Sequence, residues 1–106
     1  MYKIKQFRYS NFNPPPLSEN LFLVNDAYST TYPVVQLGIQ APPGTKILIN
    51  AVDTSANSDI EIGYTGIFEL DLRDANTYIT WLSILNIPGF ETYEEWEIFI
   101  DFLYET

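Results

Sequence analysis

Residues 34–72 read VVQLGIQAPPGTKILINAVDTSANSDIEIGYTGIFELDL, and apolar side chains recur through them at every second position. Val35, Leu37 and Ile39 alternate with Val34, Gln36, Gly38 and Gln40. Ile47 and Ile49 alternate with Lys46 and Leu48, and Ile60 and Ile62 flank Glu61. Phe68, Leu70 and Leu72 alternate with Ile67, Glu69 and Asp71. A helix would repeat near 3.6; a period of two sends successive side chains to opposite faces of a pleated strand. The runs are broken by Ala41-Pro42-Pro43-Gly44 and by Gly63-Tyr64-Thr65-Gly66, whose residues supply fixed or positive φ for turns. The stretch therefore predicts four short antiparallel strands.

The flanks extend the same pattern. Residues 78–85 (YITWLSIL) are β-branched and aromatic and read as a buried strand. Pro88-Gly89 marks a turn. Residues 96–104 admit two readings. As a strand, Trp96, Ile98, Ile100, Phe102 and Tyr104 share a face. As a helix, Trp96, Phe99, Ile100 and Leu103 form a stripe behind a Thr92/Glu95 capping box. Aromatic and β-branched content favours the strand, and a helical turn over residues 92–96 is compatible with it. On the N-terminal side, residues 21–25 (LFLVN) read as a short apolar strand. Tyr2, Ile4 and Phe7 alternate with Lys3, Lys5 and Arg8. This first segment fits an edge strand blunted by lysine, or an arm that pairs with something acidic. Pro14-Pro15-Pro16 forces an extended spacer without backbone donors. The organisation expected is an arm and spacer over residues 1–16 and one domain over residues 17–106. About seven or eight short strands at this spacing point to an all-β, antiparallel β-sandwich, jelly-roll-like or immunoglobulin-like.

The chain has 106 residues, ordinary for one domain, and 16% of them are aromatic, which argues against disorder. Its 14 acidic and 5 basic residues give a formal charge of −9. Such a chain is repelled by nucleic-acid phosphate and by anionic lipid, so no nucleic-acid or membrane partner is expected. No apolar run approaches the roughly 18 residues of a membrane span, and no signal-peptide pattern opens the sequence. With no cysteine and no histidine, disulfides, thiolate metal sites and the usual nucleophile–base pairs are absent. The acids divide unevenly. Residues 91–105 carry six acids and no base, whereas Lys3, Lys5 and Arg8 crowd the N-terminus. The two ends are expected to pair as neighbouring strands, within one chain or by exchange between chains.

Chemistry-bearing patterns are few. Glu69 and Asp71 share a strand face and have the residue types of a glycosidase acid and base, but the solvated face of an amphipathic strand has the same composition. No catalytic residue and no cofactor is assigned. Asp53, Ser55, Asn57 and Asp59 recur with the oxygen-ligand spacing that opens a calcium loop. The loop lacks a sixth-position glycine (Ser58) and a twelfth-position glutamate (Tyr64), so it stands only as a weak calcium candidate. Tyr28, Tyr32 and Tyr64 fall in connections where a ring can stack on a sugar; with Lys3, Lys5 and Arg8 they are the interaction candidates. Trp81 and Trp96 sit inside apolar strands and are expected to pack.

The sequence also resembles small β-rich structural proteins of tailed bacteriophages and prophages of Gram-positive bacteria. The likeness lies in Pro42-Pro43-Gly44-Thr45-Lys46, in residues 60–72 (IEIGYTGIFELDL) and in Ile100-Asp101-Phe102-Leu103-Tyr104-Glu105. It departs at Asn50-Ala51, where a glycine is expected, and in the loop that follows. The resemblance implies a β-sandwich virion component of a fibre, head-decoration or tail kind, made in the host cytoplasm. It implies partners that are copies of itself and other virion proteins, and it implies no catalytic residues. Two other classes remain open: a carbohydrate-binding module for host glycans, and an acidic inhibitor that mimics nucleic acid.

Overall fold

A computed structural model of the chain describes residues 1–24, 33–51, 58–89 and 95–105. Among them are seven strands and one helical turn: β1 (Tyr2–Ser10), α1 (Leu21–Val24), β2 (Val34–Gln40), β3 (Lys46–Ala51), β4 (Ser58–Glu61), β5 (Ile67–Asp71), β6 (Ile79–Asn86) and β7 (Glu97–Glu105). Every strand pairing is antiparallel. The all-β class is thus as the alternation requires, and the C-terminal segment is a strand.

β2 organises the rest. One of its edges pairs with β7; the other pairs with β5 along Gln36–Gln40 and meets β6 only at Val34, opposite Ile79. That single contact joins a four-stranded half, β1-β7-β2-β5, to a three-stranded half, β6-β3-β4. A register shift between Val34 and Gln36 turns two consecutive valines inward, so Val34 and Val35 are both buried against the strict alternation. Both halves feed one core. Phe7, Leu37, Ile39, Ile98, Ile100 and Phe102 come from the first, and Ile47, Ile49, Leu82 and Ile84 from the second. Phe102 sits among the rings of Phe7, Phe22 and Tyr104 at centroid distances of 5.0, 5.1 and 6.1 Å. Each such buried side chain is worth about 1.5–3 kcal/mol of transfer free energy. A shared core between two strand groups is consistent with the expected sandwich.

The N-terminal segment is the edge strand of this sheet in its own chain. It pairs with β7 over Tyr2–Ser10 in unbroken register and buries Phe7 and Tyr9. The spacer is tied down as well. Pro15 is buried, Leu17 forms a parallel bridge with Ile84, and the Ser18 amide donates to the Ile84 carbonyl at 2.8 Å. Residues 17–20 therefore close the edge of β6 that β2 leaves uncovered.

The strand expected over residues 21–25 is not what the described part of it forms: Leu21–Val24 is a helical turn, and Asn25 lies outside the described residues. The reason is Asn20, buried beside β6. Its Oδ1 accepts from the backbone amides of Phe22 (3.2 Å) and Leu82 (3.3 Å), and its Nδ2 donates to the Thr80 carbonyl (3.0 Å). An asparagine that accepts from the amide two residues on starts a turn rather than a strand. The turn then buries Leu21 and Phe22 in the core.

Candidate functional site

The four-stranded half has two faces, and among the described residues only one is covered. Alternation in β7 buries Ile98, Ile100, Phe102 and Tyr104 and leaves Glu97, Phe99, Asp101, Leu103 and Glu105 on the other side. The strand registers extend that second face across β1, β2 and β5 in three rows. One runs Ile4, Leu103, Gln36, Asp71. The next runs Gln6, Asp101, Gly38, Glu69. The last runs Arg8, Phe99, Gln40, Ile67.

The rows differ in chemistry. The outer two carry apolar surface that a solvated sheet face has no need of: Ile4 is 74% exposed and Ile67 54%, with Leu103 and Phe99 half-exposed. The middle row is polar and acidic, and it has no side chain at its centre because Gly38 lies there. The result is an open trough lined by Ile4, Leu103, Gln36, Gly38, Glu69 and Asp101. It continues past Gly38 towards Phe99 and Ile67.

Local contacts fix the charged groups. The Arg8 guanidinium lies 5.3 Å from the centroid of the Phe99 ring, a cation–π distance, and its Nε donates to Gln6 Oε1 at 3.2 Å. Gln6 Nε2 donates in turn to Asp101 Oδ1 at 2.7 Å. At the far edge, Arg73 forks onto Asp71, with Nη2 2.6 Å from Oδ2 and Nε 2.9 Å from Oδ1. The side-chain hydrogen bonds from Arg73, then the Arg73 amide, hold the Asp71 carboxyl below its ordinary value. Asp71 is thus kept ionised. A glycosidase acid needs the opposite, a carboxyl raised by burial or by a neighbouring carboxylate. Glu69 and Asp71 do share this face, but both stand exposed to water.

No family model, curated protein or solved structure matches this chain significantly.

The other residues singled out in the sequence fall as follows. Arg8 lies on the open face. Lys3 and Lys5 point to the opposite side of β1, across from Tyr104 and Phe102. Tyr64 tops the turn between β4 and β5 with its side chain 92% exposed. Tyr28, Tyr32, Asp53, Ser55 and Asn57 lie outside the described residues. Asp59 is exposed on β4, opposite Leu48. Among the described residues no three acidic side chains gather to hold a metal ion. Trp96 is buried and Trp81 half-buried, its Nε1 donating to Ser83 Oγ.

The turn residues that follow β2 and β4 have a structural task. The Gly44 amide donates to the Ile62 carbonyl (2.8 Å), the Ile62 amide to the Thr45 carbonyl (2.8 Å), and the Ala41 amide to the Gly66 carbonyl (2.9 Å). Buried Thr45 adds Oγ1 to the Pro42 carbonyl at 2.7 Å. Gly66 has φ +73°, and a Cβ there would stand 2.9 Å from the Ala41 carbonyl oxygen. These contacts lock the turn after β2 to the turn after β4. They set where β5 begins, and so position Ile67 and Glu69 beside β2.

Of the residues on this face, Glu69 and Arg8 stand out in the sequence, whereas Asp101, Gln36 and above all Gly38 do not. The available signal was a glycine at the centre of an otherwise apolar-alternating strand, which often marks a close approach.

Proposed function

We propose that this chain is a non-enzymatic structural protein that works by docking onto other proteins through the open face of β1-β7-β2-β5. The observation that carries the reading is the pair of exposed aliphatic side chains, Ile4 and Ile67, bracketing an acidic row on one continuous sheet face. Exposed apolar surface rimmed by polar groups is the ordinary make-up of a protein-binding patch. The resemblance of its turns to phage structural proteins supports the narrower reading, a fibre, head-decoration or tail-associated virion component that assembles with copies of itself and with other virion proteins. The strong negative charge would keep unassembled chains soluble.

The test is to band particles from producing cells on a density gradient and quantify the chain. Fixed stoichiometry in the particle band is expected, with release on Ile4→Asp plus Ile67→Asp. Recovery of the wild-type chain only in the soluble fraction overturns the virion reading. A second reading, a host-glycan module, is favoured by the solvent-exposed ring of Tyr64 at a turn tip. Glycan-array binding that Tyr64→Ala abolishes would favour it instead.

A further inference from the structure

Gly38 has no structural reason to be glycine. It lies in the interior of β2, between β7 and β5, opposite Asp101 on one side and Glu69 on the other. Its φ is not positive, unlike that of Gly44, Gly66 and Gly89. A Cβ built on it would meet no atom of the described residues within 4 Å. Strand interiors disfavour glycine, because it loses the most entropy on ordering and packs against nothing. Any β-branched residue would suit this position better by the fold's own criteria. What the glycine supplies is an opening in the middle of the exposed face.

The surroundings say what fits the opening. Asp101 and Glu69 flank it at one strand spacing on each side, about 4.8 Å away along the hydrogen-bonding direction. The rows above and below are walled by Ile4 and Leu103 and by Phe99 and Ile67. The face as a whole carries the carboxylates of Glu69, Asp71, Glu97, Asp101 and Glu105. Its two guanidiniums are already engaged, Arg8 on Phe99 and Gln6, and Arg73 on Asp71. A second copy of the same face would bring like charge against like. A basic partner is complementary.

Building on the docking reading above, we propose that the opening over Gly38 receives a lysine or arginine side chain from a basic segment of a partner protein. The aliphatic stem lies across the bare backbone of Gly38, and the cationic head reaches the carboxylates of Asp101 and Glu69. Apolar neighbours in the partner segment cover Ile4, Leu103, Phe99 and Ile67. Long basic side chains are suited to this because stem and head have opposite preferences. Asp101 is pre-set for the role by its hydrogen bond from Gln6, which leaves it oriented without neutralising it.

The experiment uses the full chain and a synthetic probe, acetyl-Leu-Arg-Leu-Arg-Leu-amide, titrated by calorimetry and by amide NMR shifts at moderate salt. Saturable binding is expected, with the largest shifts at Gly38, Asp101 and Glu69. Gly38→Leu fills the opening at unchanged net charge and is expected to weaken binding at least tenfold, while its melting temperature stays at or above that of the wild type. Glu69→Gln with Asp101→Asn keeps the shape and removes the charge, and should weaken binding comparably. Asp59→Asn with Glu61→Gln, the same charge change on the distant edge strand β4, should leave it intact. Equal binding by wild type and Gly38→Leu, equal losses from the two charge-matched pairs, or no saturable binding by the wild type would each overturn the proposal. Those results would leave the density-gradient test of docking untouched, so the two readings fail separately.

Discussion

Replacing Asn20 by alanine should be among the most damaging single changes outside the apolar core. Its amide group serves three backbone groups at once, accepting from Phe22 and Leu82 and donating to Thr80. A hydrogen bond contributes about 0.5–1.5 kcal/mol net, and a buried backbone group left without its partner costs about 1–3 kcal/mol. Because Asn20 is only 5% exposed, water does not readily replace it, and a total loss of about 2–4 kcal/mol follows. Against the roughly 5–15 kcal/mol typical of a domain, this lowers the melting temperature by about 10–20 °C. Urea unfolding followed by the fluorescence of Trp81 and Trp96 measures it, with the midpoint falling and the slope unchanged. Asn20→Asp sharpens the test. A carboxylate can still accept from both amides but faces the Thr80 carbonyl oxygen, so burial and that oxygen should raise its folded pKa above the unfolded value near 3.9. A raised folded pKa gives a stabilising contribution that is complete below the unfolded pKa and lost as pH rises through the folded one. The aspartate variant should therefore approach wild type in acid and fall away towards neutrality. A loss under about 1 kcal/mol for Asn20→Ala, or no pH dependence for Asn20→Asp, would refute the view that this side chain substitutes for a strand at the edge of β6.

Two further perturbations probe the turns and the rim of the open face. Gly66→Ala must hold φ near +73° and place a Cβ 2.9 Å from the Ala41 oxygen, so a loss of about 1–3 kcal/mol is expected in thermal unfolding, and a change below about 0.5 kcal/mol would contradict the turn geometry. Arg73→Leu removes the fork on Asp71, and the Asp71 carboxyl followed by NMR titration should return upward towards 3.8. Because its folded pKa is depressed, the pair's contribution is present above the unfolded pKa and lost as pH falls through the folded one; both groups are exposed, so the melting temperature at pH 7 should not move measurably.

The strands were legible because each buries one face, which writes a period of two into residues such as Leu37, Ile39, Ile98, Ile100 and Phe102. The helical turn at Leu21–Val24 was not, because four consecutive apolar residues carry no period. Its conformation is decided by Asn20, whose partners Thr80 and Leu82 lie on a strand far along the chain. The consecutive burial of Val34 and Val35 is hidden from the sequence for a similar reason: a register shift is a property of two paired strands and leaves no mark on the alternation of one.

The charge asymmetry between the chain ends shows how a correct expectation can rest on the wrong force. β1 does pair with β7, yet the residues directly opposite Lys3 and Lys5 are Tyr104 and Phe102, and Arg8 lies opposite Phe99. What holds the two strands in register is the buried set, with Phe7 opposite Ile100 and Tyr9 opposite Ile98. A slip by one residue would carry Phe7 and Tyr9 to the solvent side and Arg8 into the core, a far larger penalty than any exposed ion pair can offset. The acids of β7 are consequently left on the outer face, where Asp101 meets Gln6 and the row through Gly38 stays open. Register chosen by the core thus assembles, as a by-product, the acidic face on which docking is proposed. That is why the face could not be read from the charges alone: Asp101, Gly38 and Glu69 become neighbours only once the apolar residues on the other side have fixed two registers at once, β7 on β2 and β2 on β5.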